Sequence, residues 1–581
     1  PLGSGQEVGR SCHVITYKGI TIMLDCGIHP GMSGRGSLPF LDKVEESSID
    51  LLLVSHFHLD HAAALPYFLT KTDFRGKTYM TPPTKAIYKL IVEDFIKVSN
   101  ISVAERVYDE KDLAKSMGRI QEINFHQSII HKGVKFSCLH AGHVLGAAMF
   151  LIEIADIRIL YTGDYSRVED RHLKAAEIPQ VKPDILIIEA TFGDMIVSPI
   201  KEREKRFVDA IKEVLRRGGR VLIPMWALGR AQEILLILEE AWWKNRELHK
   251  FPIFYTSSLA QKCMDVYKHY TNMMNDRVRS AMQSRKNPFE FRFVQQLHRL
   301  EDFDDRGPCV VIATPGMLQS GISRELFERW CTNPDNGVIV AGFTVNGTLA
   351  NDLLKEPKEI HTLDGAVLPR NIPVYTVSFT NHADYPETRE FIRAVEPKHI
   401  ILVHGKANKM ERMRRSLLAD EEERLEALPP PPLDIFTPEN GCTVKIEIKS
   451  QKMARIVKKL AEKDPEDGDL ISGLVVQRDF EYTILEPSDL QELTSLTSWT
   501  VEQNLTVPFH LRDDLLVFFI SRLFKENNDT NDGPAQDPIW LVHDAITVSR
   551  TGESKDQVLL QWDSNPINDM LADSLVSLLV S

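Results

Sequence analysis

Short apolar runs that end in a polar or ionisable residue recur along the first 190 residues of the chain. They are KGITIMLDCG, DLLLVSH, KFSCLHAGH, IRILYTGD and PDILIIEAT. Their length and their content of β-branched residues predict buried strands. Functional side chains gather at strand ends in layered α/β folds. The polar residues at the ends of these runs are therefore the first candidates for functional residues.

A different pattern begins near residue 200. The segments KEREKRFVDAIKEVLRRG and ALGRAQEILLILEEAWWKN carry an apolar residue every three or four positions, which predicts amphipathic helices. They alternate with the apolar runs GRVLIPM, PCVVIAT and GVIVAGF, and this alternation predicts a parallel sheet. The short-strand pattern returns after about residue 375 with IPVYTVSF and HIILVHG. We therefore predict that the middle block is a domain inserted into the first one.

The end of the chain differs from the rest in its predicted elements and in its charge. The segment QKMARIVKKLAEK predicts a basic helix leading into it, and DLLVFFIS, QVLLQW and DSLVSLLVS predict strands of a small β-rich core. From Glu466 onwards there are six Lys and Arg against 21 Asp and Glu, so this part accounts for all of the chain's net charge of −13. Because such a surface repels a polyanion, we expect it to bind a protein partner.

Composition narrows the class of protein. The 581 residues are 43% hydrophobic and 26% charged, which is typical of a soluble chain with several domains. No stretch approaches the roughly 18 uncharged apolar residues of a membrane span, so we expect no membrane association through such a helix. The seven cysteines are scattered without a CxxC pair. This distribution predicts a reducing compartment and argues against a thiolate metal site.

The segment HFHLDH at residues 56–61 directly follows the apolar run at 51–54. Four ligand-type side chains in six residues are costly to bury unpaired, so the segment predicts a metal site. Three imidazoles and a carboxylate suit Zn²⁺ better than Mg²⁺ or Ca²⁺. Further ligands should lie at other strand ends, where His143, Asp164 and His404 are the candidates. Taken singly, each could equally be a hydrogen-bonded turn histidine or a helix-capping aspartate.

In this order the segments resemble the five-motif pattern of the metallo-β-lactamase fold. The resemblance implies an α/β protein built as a four-layer αββα sandwich, with two zinc ions. The implied ligands of one ion are His56, His58 and His143, those of the other are Asp60, His61 and His404, and Asp164 would bridge both. Asp25 in MLDCG matches the first motif and would orient a ligand histidine from behind.

The interval between Asp164 and His404 spans 240 positions, which is far more than a loop needs. With a whole domain in this place, the chain resembles the β-CASP nucleases. Their further motifs fall on Glu189 in IIEATFG, His382 in SFTNHADY and His404, and a histidine at the last of them points to RNA-directed members. The implied domains are a metallo-β-lactamase domain at 1–194 and 376–450, a β-CASP cap at 195–375 and a small α+β C-terminal domain at 451–581.

Segments from PLGSGQEVGRSC through AGHVLGAAMF and SSLAQKCM to SNPINDMLADS are similar to the endonuclease subunits of cleavage and polyadenylation specificity factors. The resemblance implies a nuclear, zinc-dependent endoribonuclease that cuts single-stranded pre-mRNA at the 3′-end processing site before polyadenylation. It also implies two partners, an inactive metallo-β-lactamase/β-CASP homologue subunit and a symplekin-type scaffold. Departures from the family pattern at Pro82, Ala190, Phe192 and Thr380-Asn381 spare every ligand position and bear on substrate contacts.

The implied reaction is hydrolysis by water that two zinc ions activate, leaving a 3′-OH and a 5′-phosphate. His382 would protonate the leaving oxygen, Glu189 would hold its tautomer, and Asp60 would act in catalysis as well as in metal binding. Two alternatives stay open: an Integrator-type or other RNA-processing β-CASP nuclease, and an inactive scaffold homologue. The basic residues from Lys406 to Arg415 could contact the RNA backbone or form a solvated helix face.

Overall fold

The structure is a computed structural model that describes most of the chain. The residues outside its description are 99–105, 227–228, 257–259, 298, 343, 345–346, 380, 426–432, 449–453, 479, 498, 524–526, 530–538, 543–544, 553–554 and 581. The chain divides into two compact units, Pro1–Gln451 and Lys452–Ser581. Within the described ranges, no helix has the length and apolar character to cross a membrane.

The first unit alternates short strands with helices throughout. Its strands are β1 His13–Tyr17, β2 Ile20–Leu24, β3 Leu51–Leu53, β4 Lys77–Met80, β5 Ile120–Glu122, β6 Ser128–His131, β7 Val134–His140, β8 Ala148–Ile154, β9 Ile157–Tyr161, β10 Ile185–Glu189, β11 Val221–Pro224, β12 Ile253–Thr256, β13 Val294–Leu297, β14 Val310–Ala313, β15 Gly337–Val340, β16 Glu359–His361, β17 Val367–Pro369, β18 Val374–Thr376, β19 His399–Val403 and β20 Asp434–Phe436. Its helices are α1 Leu59–Ala62, α2 Leu65–Lys71, α3 Pro82–Val98, α4 Glu110–Arg119, α5 Ile200–Arg216, α6 Arg230–Lys244, α7 Ala260–His269, α8 Asp276–Gln283, α9 Gly321–Trp330, α10 Leu349–Leu353, α11 Tyr385–Val395 and α12 Ala407–Leu425.

Two sheets share one hydrophobic core. The described strands of the first are ordered β1-β2-β3-β4-β5, and those of the second β20-β19-β10-β9-β8-β7-β6. Buried residues of both sheets, such as Leu52 and Leu186, join Phe68 of α2 and Phe391 of α11 in the same core. The five apolar runs of the first 190 residues and HIILVHG contribute strands to these two sheets. The prediction for IPVYTVSF was wrong, because its strand β18 pairs with β15 in a different sheet. Two sheets flanked by helices are the arrangement that the sequence predicted.

The middle block forms a separate parallel sheet of order β13-β12-β14-β11-β15-β18. Its core lies on both faces, against α5 and α6 on one side and α9 on the other. β10 and β19 are direct parallel neighbours in the second sheet although this whole sheet lies between them in sequence. The middle block is therefore an insertion, and the register sets Glu189 beside Val403, one position before His404.

The second unit consists of two sheets and three helices in its described part. Its strands are β21 Ala454–Ile456, β22 Leu474–Arg478, β23 Glu481–Leu485, β24 Glu502–Pro508, β25 Asn527–Asp529, β26 Ile539–Val542, β27 Ile546–Thr551 and β28 Gln557–Asp563. Its helices are α13 Leu490–Leu493, α14 Asp513–Leu523 and α15 Pro566–Val580. The strand orders are β21-β23-β22 and β24-β28-β27-β26-β25.

Three sequence predictions were wrong in this region. DLLVFFIS lies in α14 and DSLVSLLVS in α15, since buried Leu516 and Ile520 repeat every four residues and so do Leu575 and Leu579. The connector predicted as a basic helix contains β21 and a short 3₁₀ helix, because its backbone pairs with β23. A short apolar run is compatible with the periodicity of a helix and with that of a strand. Only the element that it packs against decides between the two.

Candidate metal centre

The loop after β3 and the first turn of α1 carry the HFHLDH segment. His56 is fully buried, and its Nε2 lies 2.9 Å from Nδ1 of His58. His143, in the turn between β7 and β8, brings its Nε2 to within 3.2 Å of the same His58 atom. Asp164, which follows β9, directs Oδ2 to 3.7 Å from Nε2 of both His56 and His143. The ends of three strands, β3 of the first sheet and β7 and β9 of the second, thus bring one group of ligand atoms together.

A second group lies next to the first. Nε2 of His404, just after β19, is 3.2 Å from Oδ2 of Asp60 and 3.3 Å from Nε2 of His61. Oδ2 of Asp164 is 3.3 Å from the same His61 nitrogen. Asp164 therefore contacts both groups, and the resemblance assigned a bridging role to this residue.

Proton positions show that these groups fit cations. Ser55 Oγ donates to Asp25, so the neighbouring Nδ1 of His56, 3.0 Å away, is the donor in its contact with Ser55. His61 Nδ1 donates to Asp25 Oδ2 at 2.8 Å, and His143 Nδ1 donates to the Asn381 carbonyl at 2.6 Å. With Nδ1 protonated, each of these three rings directs an Nε2 lone pair inwards. These Nε2 atoms lie 2.9 to 3.3 Å from ring nitrogens of His58 and His404, an arrangement that suits a bound cation.

The pKa shifts of the histidines agree with a cation site at these two groups. Burial and the neighbouring imidazoles hold the pKa of His56 and of His143 well below the usual value, and burial lowers that of His58 to about 4. These rings are therefore neutral at physiological pH, which a metal ligand must be. Asp164 and Asp60 raise the pKa of His61 despite its burial, so the carboxylates favour positive charge here. Oδ1 of Asp164 is buried without a hydrogen-bond partner in the described residues.

Asp25 supports this site from behind. Its Oδ1 accepts from the Ser55 amide at 2.6 Å. Its Oδ2 accepts from Ser55 Oγ at 2.7 Å, from His61 Nδ1 at 2.8 Å and from the Tyr161 hydroxyl at 2.6 Å. The carboxylate is fully buried. It contacts His61, one of the histidines predicted to be ligands, and the two hydroxyl groups around it were not foreseen.

Glu189 and His382 form a pair that faces both groups. His382 Nδ1 is 2.7 Å from Glu189 Oε2, and Glu189 Oε1 accepts from the Tyr165 amide at 2.8 Å. The His382 ring lies 4.8 Å from that of His143 and 6.2 Å from that of His404. Burial opposes its charging, but Glu189 raises the pKa of His382 to about 9. The imidazole is thus a proton donor, and 12% of it is exposed.

The inserted domain approaches the site through the start of α6. A Cβ at Gly229 would lie 3.5 Å from His58 Nε2, so backbone reaches the ligands closely there. Beneath it lies a buried ion cluster that sequence reasoning missed, consisting of Asp170, Arg171, His172, Arg230 and Glu233. Arg230 pairs with Asp170 and Arg171 pairs with Glu233, so both carboxylates already have cationic partners within the chain. The DRHL and GRAQE segments contain its members, but only the tertiary fold pairs them.

The basic residues on α12 are mostly engaged. Arg412 pairs with Asp194, and Arg414 and Arg415 both pair with Glu411. Lys409 Nζ donates to the Thr191 carbonyl at 3.1 Å. These contacts favour a structural role for much of the basic run.

Family models match four consecutive parts of the chain. A metallo-beta-lactamase superfamily domain matches residues 14–187, and a Beta-Casp domain matches 231–353. A Zn-dependent metallo-hydrolase RNA specificity domain matches 367–428, and the C-terminal part of pre-mRNA 3′-end-processing endonuclease polyadenylation factors matches 469–581. These matches confirm the predicted fold class and support a metal at the His/Asp cluster.

Curated relatives match the chain along its whole length. Cleavage and polyadenylation specificity factor subunit 3 of Dictyostelium discoideum is 47% identical over 100% of this chain and 74% of its own length. Subunit 3-I of Arabidopsis thaliana is 48% identical over 100% of this chain and 82% of its own. Endoribonuclease ysh1 of Schizosaccharomyces pombe is 45% identical over 100% of this chain and 75% of its own. The chain belongs to the metallo-β-lactamase/β-CASP family of pre-mRNA 3′-end-processing endonucleases.

Proposed function

We propose that this chain is a zinc-dependent endoribonuclease that cleaves pre-mRNA at the 3′-end processing site before polyadenylation. One observation carries the proposal: two convergent groups of His and Asp ligands lie directly beneath the His382–Glu189 pair. A metal site alone serves many hydrolases. A positioned imidazolium above two metal-ligand groups suits a substrate whose leaving group needs a proton, as the 3′-oxygen of a phosphodiester does.

The set of donor atoms favours zinc and suits two zinc ions. Five imidazoles and two carboxylates form it, whereas Mg²⁺ and Ca²⁺ prefer all-oxygen shells. His56, His58 and His143 would hold one ion, Asp60, His61 and His404 the other, and Asp164 both. When bound, two zinc ions activate water near neutral pH and neutralise charge on the phosphodiester.

The chain's own residues then direct the proton. Glu189 Oε2 holds Nδ1 of His382, so the imidazolium presents its Nε2 hydrogen to the substrate. Nearby cations would repel this charge and lower the pKa of His382 from about 9 towards neutrality, where a general acid is most effective. Attack by water at phosphorus would leave an upstream 3′-OH and a downstream 5′-phosphate.

We also propose how the work is divided between parts of the protein. The domain limits at residues 194, 375 and 450 separate the catalytic sandwich, the cap and the partner-binding part. The acidic second unit exposes large apolar side chains, among them Trp499 at 86% and Ile567 at 65%. Such a surface suits a protein partner. The proposed partners are an inactive homologous subunit and a symplekin-type scaffold within the nuclear processing complex.

The test is cleavage of single-stranded RNA by the full chain, alone and with the homologous subunit, with product ends mapped. We expect zinc-dependent internal cuts with a 5′-phosphate on the downstream product. His382→Ala should abolish most of the cutting, while His361→Ala, at an exposed histidine of β16, should not. Zinc-independent cutting, or equal activity of the His382 variant, would contradict the proposal.

A further inference from the structure

Thr191 lies between the metal ligands and the acid pair without belonging to either. It follows β10 by two positions and is buried. Its hydroxyl contacts Oε2 of Glu189, the same oxygen that holds His382. The same hydroxyl lies 3.0 Å from Nδ1 of His404 and 3.2 Å from the His404 carbonyl.

Proton accounting gives these contacts a direction. The hydroxyl has one hydrogen, and a carboxylate offers none, so Thr191 donates to Glu189. The Thr191 oxygen keeps lone pairs, and it lies where it can accept a hydrogen from Nδ1 of His404. Nδ1 also lies 3.3 Å from Asp164 Oδ1, but that oxygen has no hydrogen-bond partner in the described chain. Nε2 of His404 faces Asp60 and His61, and to hold a metal ion there it must offer its lone pair, which requires the hydrogen on Nδ1, the atom that faces Thr191.

The backbone around Thr191 fixes this geometry. The Ala190 amide donates to the Val403 carbonyl at 2.8 Å. A Cβ at Gly405 would lie 2.6 Å from the Ala190 carbonyl oxygen, so the two loops touch without a side chain between them. Lys409 holds the Thr191 carbonyl from the other side. The hydroxyl is therefore placed by the fold and has little freedom to turn away.

We propose that Thr191 is a positioning residue that joins the ligand His404 to the acid pair through one hydroxyl. The connection runs from His404 Nδ1 to Thr191 Oγ1, to Glu189 Oε2, to His382 Nδ1. It sets the tautomer of His404 so that Nε2 faces the metal. It also holds Glu189, which in turn holds His382 beside the metal-ligand groups. This inference deepens the proposed function and rests on it for the acid role of His382.

The first experiment measures metal and needs no RNA. The full chain is titrated with zinc against a chromophoric chelator, in the parent and in Thr191→Val, which keeps the shape and removes the hydroxyl. We expect at least one zinc ion to bind about 10- to 100-fold more weakly, the usual range for loss of a ligand's supporting hydrogen bond. Thr191→Ser, which keeps the hydroxyl, should bind within about threefold of the parent.

A matched control separates the hydroxyl from the substitution. Thr78 of β4 is also buried, and its hydroxyl has no hydrogen-bond partner among the residues described. Thr78→Val should leave zinc affinity unchanged. If Thr191→Ser loses as much affinity as Thr191→Val, packing explains the loss and the inference is overturned. Unchanged affinity in Thr191→Val overturns it as well.

The second experiment measures RNA cleavage at saturating zinc. Thr191→Val should lower kcat about tenfold with KM unchanged, because only the placement of the acid suffers. In a His382→Ala background the same substitution should have almost no further effect, since the two changes act on one step. Equal losses in both backgrounds would mean that the hydroxyl serves His404 alone, which refutes the connection. A parent chain that cuts no RNA would defeat the proposed function, and zinc titration alone would then decide the inference.

Discussion

Replacing Asp25 by Asn tests how strongly the site depends on a residue that is not itself a predicted ligand. The side chains have the same shape, but Asn has one acceptor oxygen and no charge. Asp25 receives four hydrogen bonds, one on Oδ1 and three on Oδ2. The best orientation of Asn places its oxygen at the Oδ2 position. Its NH₂ group then faces the Ser55 amide, and two donors meet.

The expected loss follows from these contacts. A buried amide left without an acceptor costs about 1–3 kcal/mol. Each of the three remaining bonds changes from a charged to a neutral acceptor, which weakens it by about 1 kcal/mol. The first unit should therefore lose about 5 kcal/mol of stability. Because His61 also loses the partner that fixes its tautomer, zinc affinity should fall about 10- to 100-fold.

Tyr161→Phe is the matched control for this experiment. It removes one of the four donors and leaves both Ser55 and His61 in place. We expect a loss of about 2 kcal/mol with zinc affinity within about threefold of the parent. Thermal unfolding and chelator competition on the full chain measure both effects. If Asp25→Asn keeps the parental zinc affinity, the carboxylate does not support the metal ligands and the reasoning fails.

Three further predictions concern other parts of the chain. His58→Ala should lose at least one of about two bound zinc ions by elemental analysis, whereas His382→Ala should keep both and cleave RNA about 10²- to 10⁴-fold more slowly. Burial opposes the charging of His172, but its two carboxylate partners raise the pKa of this histidine to about 9. The ion cluster around His172 should therefore stabilise the fold fully at pH 6.5 and below, and about 3 kcal/mol of this stability should be lost as the pH rises through 9. The melting temperature should fall over that pH range, and it should fall less in His172→Gln. Removal of 452–581 should spare zinc binding and abolish co-purification with the homologous subunit, and loss of zinc would instead mean that the unit supports the catalytic fold.

The sequence was most informative where polar residues end apolar runs. Asp25 and Glu189 lie at the ends of β2 and β10, and the proposed ligands lie in the segments after β3, β7, β9 and β19. Asp60 and His61 already belong to the short helix α1. The end of a strand fixes the backbone while it leaves the side chains free for chemistry. Taken singly, His143, Asp164 and His404 were compatible with structural roles, and their assignment as ligands depended on the resemblance to the metallo-β-lactamase pattern. Both groups of ligand atoms converge in the structure within hydrogen-bonding distances.

The supporting contacts could not be predicted in the same way. Ser55, Tyr161 and Thr191 each contribute one hydroxyl, and single hydroxyl groups form no pattern along a chain. Their roles appear only when strands distant in sequence become neighbours. The same limit applies to α14 and α15, where a continuous apolar run fits a strand as well as a helix until its partners are known.

The register of β10 against β19 explains why the insertion does not disturb the site. Five consecutive pairs from Ile185 with His399 to Glu189 with Val403 close the second sheet after the cap domain has been completed. This pairing places Glu189, Thr191 and His404 side by side. The last ligand therefore reaches the site only if the chain returns to the same strand in the same register. A slip by one position would turn the Glu189 side chain to the opposite face and separate it from His382. The proposed roles of His404 in metal binding and of Glu189 in proton transfer would thus both depend on this one strand pairing.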